Sequence, residues 1–218
     1  MALPTVERER LLGGNWKIRP AAGLYFKREW CEVIDYPPSD AFWCRGWDLA
    51  STPKTETNDP DATSGTLVGK MPDGRYVVAH NKNGFLSPAG VKALLLSTAE
   101  GDTQAMKGSM GYMMSIPQDP AAAGKAQKAD LATHLSGYDV RFSPETGDKV
   151  TRFSPFSAQA QAGNVLIVRG DWNESFFRAL EGFPEAAHDD DADSTARAYN
   201  ALNEPAATAR VFVRSKNR

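Results

Sequence analysis

Apolar and polar positions in this chain fall into two kinds of block. Some are short apolar runs bounded by turn residues, and others are longer stretches with apolar residues at helical spacing. The most pronounced run is Phe42–Ala50, Phe-Trp-Cys-Arg-Gly-Trp-Asp-Leu-Ala, which is long enough for a central strand. Gly65–Lys70 and Arg75–Asn81 read as two further strands, and the Pro and Asp-Gly of Met71-Pro72-Asp73-Gly74 between them mark a hairpin. Ser87-Pro88 opens a helix, with Ser as N-cap and Pro at the first helical position. Val91, Leu94, Leu95 and Thr98 share one face of that helix. Tyr112–Pro117 then predicts a strand, Ala121–Leu135 a helix stopped by Gly137, and Tyr138–Ser143 a short strand. Pro144–Arg152 is charged and turn-like, and Pro155–Ala162 reads as a short helix. Asn164–Arg169 is a strand, Asp171–Gly182 a helix with Trp172, Phe176 and Leu180 in register, and His188–Leu202 the last helix. Ahead of all this, Val6–Leu12 looks helical and ends at Gly13-Gly14, and Asn15–Asp40 is irregular, with Pro20, Pro37 and Pro38. Arg210–Arg218 is a basic tail with strand character at Val211–Val213.

A three-strand meander followed by two helical crossovers implies an α/β fold, a mixed β-sheet flanked by helices. The element string is that of a ribonuclease H-like sheet.

Composition changes the picture little. The 218 residues are 41% hydrophobic and 24% charged, ordinary for a globular domain with a sizeable core. No run approaches the roughly 20 apolar residues of a membrane span, and the N-terminus is too charged for a secretory leader. Cys31 and Cys44 form neither a metal spacing nor a disulfide framework and read as reduced thiols. A net charge of −2 excludes a basic DNA-coating protein, but a local basic groove can coexist with an acidic site.

The candidate chemistry is acidic. Asp48 lies inside the first strand, where an unpaired carboxylate is costly. Arg45 is an odd number of positions away and points to the other face. Asp48 therefore reads as a metal ligand or as an acid capped by backbone at a strand end. Asp119 lies just past a later strand, and Asp189-Asp190-Asp191-Ala192-Asp193 opens the last helix, with pairs sharing a helix face. Helix capping alone explains either piece separately. Together they present carboxylates from three elements, the donor set of Mg²⁺ or a similar hard cation. Two such ions about 3.5–4 Å apart can hold the attacking water and the leaving oxygen of a phosphodiester. His188 beside these acids can orient water or phosphate, or stand at the surface; His80 and His134 read as structural, and Asp59 and Asp61 as turn residues. Gly124-Lys125 resembles the end of a phosphate loop, but Ala126 replaces the Ser/Thr and Asp119 stands where the first Gly belongs, so no ATP site is recognisable. Lys125, Lys128, Lys149 and Arg152 are cations placed to touch a DNA backbone, or a solvated charged face.

Several segments resemble a known family. They are Arg-Gly-Trp-Asp-Leu-Ala (45–50), Ile-Pro-Gln-Asp-Pro-Ala-Ala-Ala-Gly-Lys (116–125), Thr-Gly-Asp-Lys-Val-Thr-Arg (146–152), Pro-Phe-Ser-Ala-Gln-Ala (155–160) and Phe-Pro-Glu-Ala-Ala-His-Asp-Asp (183–190). In order, they are similar to the C-terminal nuclease domain of the large terminase subunit of tailed phages and prophages. Leu-Leu-Gly-Gly-Asn-Trp (11–16) and Gly-Leu-Tyr-Phe-Lys-Arg-Glu (23–29) look like the connection from that family's ATPase domain. The resemblance implies residues 1–40 as a linker from an ATPase domain, 41–205 as the ribonuclease H-like nuclease domain and 206–218 as a basic tail. It implies a metal-dependent endonuclease that cuts concatemeric double-stranded DNA in the host cytoplasm, using Mg²⁺ or Mn²⁺ and two ions. Asp48, Asp119 and Asp190 match the family's acids, with Asp189 and Asp193 as neighbours in the same motif. The family often continues the helix motif with an amide and a β-branched residue, where Asp191-Ala192 stand here, and this blurs which helix acid binds metal. Partners implied are the ATPase domain, the small terminase subunit and the portal, with no membrane. The rival readings are a junction-resolvase-like nuclease and a DNA-gripping module of the packaging motor without cleavage of its own.

Overall fold

The computed structural model describes residues 23–50, 54–55, 60–119, 121–186 and 188–204. The expected helix at Val6–Leu12, the basic tail and Asp59 lie outside the described residues. A seven-stranded mixed sheet carries the domain, in the order β1-β7-β4-β3-β2-β5-β6. Its strands are β1 (Glu32–Ile34), β2 (Phe42–Asp48), β3 (Thr63–Lys70), β4 (Tyr76–Gly84), β5 (Gly111–Pro117), β6 (Val140–Ser143) and β7 (Val165–Val168). The meander β2-β3-β4 is antiparallel, and β5 adds to β2, and β6 to β5, in parallel. The helices are α1 (Pro88–Ala105), α2 (Ala122–His134), α3 (Lys149–Gln161), α4 (Asn173–Gly182) and α5 (Asp190–Asn203). The hairpin closes where expected: Gly74 N–H donates to the Met71 carbonyl at 3.0 Å, with Gly74 at φ +90°. Ser87 caps α1 by accepting from Gly90 N–H.

Strand alternation divides β2 between two cores. Trp43 and Trp47 point to one face; Trp47 packs with Val91, Leu95 and Ala99 of α1 and Leu131 of α2. Cys44 points to the other, against α3, α4 and α5, among Phe153, Phe156, Phe176 and Tyr199. Burial pushes the thiols of Cys31 and Cys44 up to about 12, so neither is a nucleophile at neutral pH.

The structure differs from expectation at two places. The segment expected to be irregular before residue 41 buries Tyr25 and Phe26 completely and supplies β1, which pairs in parallel with β7. A three-residue strand at a sheet edge shows no alternation to read, and its stability comes from pairing. The charged stretch read as a turn at 144–152 instead ends in the start of α3: Asp148 accepts from Thr151 N–H at 2.8 Å, so the helix begins at Lys149. Pro155, read as a first helical residue, lies inside this helix.

Candidate metal centre

The strands that carry the acids run in parallel. β2, β5 and β6 are neighbours, so their carboxyl ends meet at one edge. Asp48 is the last residue of β2, Asp119 follows β5, and Glu145 follows β6. Asp48, Asp119 and Glu145 line one cavity of about 370 Å³, together with Gln118 and Gln127. Asp48 shares the face of β2 that Cys44 and Gly46 present to α5, and α5 brings the helix acids.

The approach of α5 is set by Gly46. A Cβ there would lie 2.3 Å from the Ser194 carbonyl oxygen and 2.4 Å from the Ala198 nitrogen, so the helix backbone rests directly on the strand. The first turn of α5 thereby reaches the end of β2. Its acids divide by direction. Asp190 is buried and accepts from Ala62 N–H at 3.2 Å. Asp193 is buried and accepts from the Arg152 guanidinium at 2.7 Å, with Lys149 Nζ 3.7 Å away. Asp189 precedes the helix and holds Lys149 Nζ at 2.6 Å. Asp191 turns to the sheet, where Ser64 and Asn81 donate to it.

Burial pushes the Asp48 carboxyl up from 3.8 to about 7, and the nearby charges of Asp193, Asp190 and Glu145 push the same way. Burial likewise raises Asp190 and Asp193, the latter against the pull of Arg152. Burial opposes the charged form of Lys149, but Asp189, Asp193 and Asp48 hold it protonated. This is the electrostatics of a group of carboxylates that a cation would relieve.

The sequence-predicted residues are thus partly gathered. Asp48, Asp190 and Asp193 come together, and Asp119 faces the same cavity as Asp48, although its carboxylate also accepts from Ala121 N–H at 2.8 Å. Lys149 and Arg152 stand on the first turn of α3 against the helix acids. Lys125 and Lys128 sit on α2, with Lys128 donating to Gln118 at 3.0 Å and lying 5.6 Å from the Phe142 ring. Three residues were missed. Glu145 bonds Arg197 at 2.5 Å, and its place two residues beyond a parallel strand was the available signal. Asp61, read as a turn residue, stands with His188 and Asp190 so that one potential ligand atom from each lies within 4.8 Å of the others. Arg197 follows Asp193 by one helical turn and is nearly buried. His134 bonds the Lys92 carbonyl and His80 packs on Trp172, as structural residues do.

The donor set is carboxylate oxygen plus one imidazole, which suits a divalent cation such as Mg²⁺ or Mn²⁺. Among the described residues no helix is long and apolar enough to cross a membrane.

Comparison with known proteins places this geometry. No curated protein matches the sequence. The fold is similar to the large terminase nuclease of thermophilic phage G20c with bound magnesium, at 13% identity and TM-score 0.54, covering 79% of this chain and 93% of that one. It is similar to the P22 large terminase nuclease domain, at 12% identity and TM-score 0.58, covering 82% and 90%. It is also similar to the manganese-soaked human cytomegalovirus terminase nuclease domain, at 12% identity and TM-score 0.55, covering 92% and 95%. A family model described as the terminase RNaseH-like domain matches residues 45–202, most of the chain and all of the acids above, and the chain belongs to that family.

Proposed function

We propose that this nuclease domain is a metal-dependent endodeoxyribonuclease that cuts concatemeric double-stranded DNA during viral genome packaging. The observation that carries the reading is the convergence of the half-buried Asp48 with the buried Asp190 and Asp193, whose charges oppose its ionisation. Membership of the terminase family supports the substrate, and the similar magnesium-bound and manganese-soaked nuclease domains support the choice of ion.

Asp48, Asp119 and Asp190 or Asp193, with Asp189 beside them, would hold the cations, Asp48 being the acid that two ions would share. A divalent cation held there supplies Lewis acidity, which acidifies water and neutralises charge on phosphodiester oxygens. The chain's own part is to gather and orient the carboxylates and to hold DNA. Lys149 and Arg152 answer the acids in this structure and stand where a phosphate would come within their reach. Lys125, exposed on α2, and the half-buried Lys128 add cations that need not read sequence. The packaging ATPase, the small terminase subunit and the portal would be its partners in the host cytoplasm.

The test is cleavage of supercoiled plasmid by wild type and Asp48→Ala in Mg²⁺, Mn²⁺ and EDTA. Nicking and linearisation that need metal and vanish in the variant are expected. A folded protein that binds DNA but cuts in no metal would replace this reading with a DNA-gripping module. A strong preference for branched over linear duplex would favour a resolvase-like substrate.

A further inference from the structure

The polar residues between α5 and the sheet are not used by the chemistry proposed above. Beyond Thr195 the buried side of this helix is apolar, with Ala196, Ala198, Tyr199 and Ala201. Its first two turns differ. Asp191, 6% exposed, accepts at Oδ1 from Ser64 Oγ at 2.6 Å and from Asn81 Nδ2 at 3.1 Å. Its carbonyl accepts from Thr195 Oγ1 at 2.6 Å. Ser194 Oγ lies 3.0 Å from Ser64 Oγ and 2.8 Å from Thr66 Oγ1, and Asn81 Nδ2 lies 3.0 Å from Thr66 Oγ1. The result is a closed set of hydrogen bonds joining one helix turn to two strands, in a place where apolar contact would have served packing equally well.

Its position gives it meaning. Ser64 is the cross-strand partner of Asp48, so this set of bonds ties α5 down at the rung of the ladder that carries the strand acid. Around a helix successive residues turn by about 100°, so Asp191 and Thr195 face away from Asp190 and Asp193, with Ser194 between the two directions. A helix that rolled or lifted at its first turn would carry Asp190 and Asp193 away from Asp48. Gly46 fixes how close the helix lies, and its Cβ contacts are with Ser194 and Ala198, further along. Ala62, Arg152 and Lys149 hold the first turn on the side of the acids, and the polar set holds it on the side of β3 and β4.

We propose that Asp191 is a positioning residue: through Ser64 and Asn81 it fixes the rotation of the α5 N-terminus, and so sets Asp190 and Asp193 against Asp48 without touching metal or DNA. This rests on the nuclease reading above. It distinguishes Asp191 from its three acidic neighbours, which stand on the ligand side, and it assigns its oxygen to accepting two neutral donors. An amide oxygen can do the same.

The experiment measures Mn²⁺ binding by calorimetry and plasmid cleavage for wild type, Asp191→Ala, Asp191→Asn and Ser64→Ala, each shown to be folded by circular dichroism. Removing a group that orients metal ligands costs about 10- to 100-fold in affinity or activity, and a loss in that range is expected for Asp191→Ala. Asp191→Asn should recover most of it, and Ser64→Ala should fall in the same direction by less. Asp191→Ala with wild-type Mn²⁺ affinity and turnover would overturn the proposal. So would Asp191→Asn losing Mn²⁺ binding as fully as Asp48→Ala does, because Asp191 would then be a ligand. If Asp191→Ala does not fold, Asp191→Asn and Ser64→Ala decide between the same outcomes. A wild type that neither binds Mn²⁺ nor cuts overturns the nuclease reading and this proposal with it, whereas wild-type activity with indifferent variants overturns this proposal alone.

Discussion

Strand β2 carries two charges three residues apart and treats them in opposite ways. Arg45 goes to the α1 face. Its guanidinium grips Asp102 with two bonds, of 2.8 and 2.7 Å, and donates to the Gly65 carbonyl at 2.9 Å, while the Tyr112 hydroxyl donates to Asp102 at 3.0 Å. Every charge there has an opposite charge and a full set of hydrogen bonds. Asp48 goes to the α5 face, where its neighbours in charge are Asp193, Asp190 and Glu145. The cations nearby are engaged by other acids: Arg152 by Asp193 and Arg197 by Glu145. Both charges are withdrawn from water, Arg45 fully and Asp48 in part. What separates a structural ion pair from a chemical site is whether the fold supplies the countercharge or leaves it to be supplied from outside.

The sharpest break of that contrast is to remove one acid from each place. Asp102→Ala leaves the Arg45 guanidinium, 1% exposed, without its partner, and should cost about 3–5 kcal/mol by urea denaturation. Asp48→Asn should do the reverse in the metal-free protein, raising the melting temperature near pH 8 because it removes a charge from a crowd of like charges. Its plasmid cleavage should nonetheless fall by about 100-fold or more, the scale for losing a group that stabilises charge at a reacting centre. A metal-free Asp48→Asn protein less stable than wild type would mean that Asp48 has a countercharge in the fold after all.

Gly46→Ala tests the scaffold instead of the charge. The new methyl would meet backbone atoms at 2.3 and 2.4 Å, so α5 has to move, at a cost of about 1–3 kcal/mol. Calorimetry should show weaker Mn²⁺ binding, although no ligand has been changed.

The pH dependence sharpens the same point. Asp48 is raised from 3.8 to about 7, so between those values the folded state holds a proton that the unfolded state has released. Stability of the metal-free protein should therefore fall as pH rises from about 4 to about 7, and the Asp48→Asn protein should show a flatter profile in a thermal-melt series. Least is expected from Lys149→Ala, whose side chain is 53% exposed. Its effect on stability should be within about 1 kcal/mol, while cleavage should weaken and lose part of its salt dependence.

How much of this was readable depended on what each inference needed. The odd spacing of Arg45 and Asp48 was enough to put them on opposite faces, because strand alternation is local. The order of strands and crossovers was enough for the sheet, and Ser87-Pro88 and Gly137 marked helix ends by their own chemistry. Asp191 could not be separated from Asp190 and Asp193 in the sequence, because which side of α5 meets β3 is a tertiary fact, set by Ser64 and Asn81 more than 100 residues earlier. Glu145 was hidden because its role depends on β6 lying beside β5. The start of α3 was mistaken because Pro155 is a stronger local signal than the Asp148 cap that overrides it.

The order of elements along the chain has a temporal consequence. All seven described strands precede α5, yet Asp190 and Asp193 ride on that helix. A chain halted or clipped before residue 190 could lay down a sheet and still have nothing with which to cut. The acid group is complete only once the final described helix closes over β2, so on the proposed reading a chain without that helix would not cut.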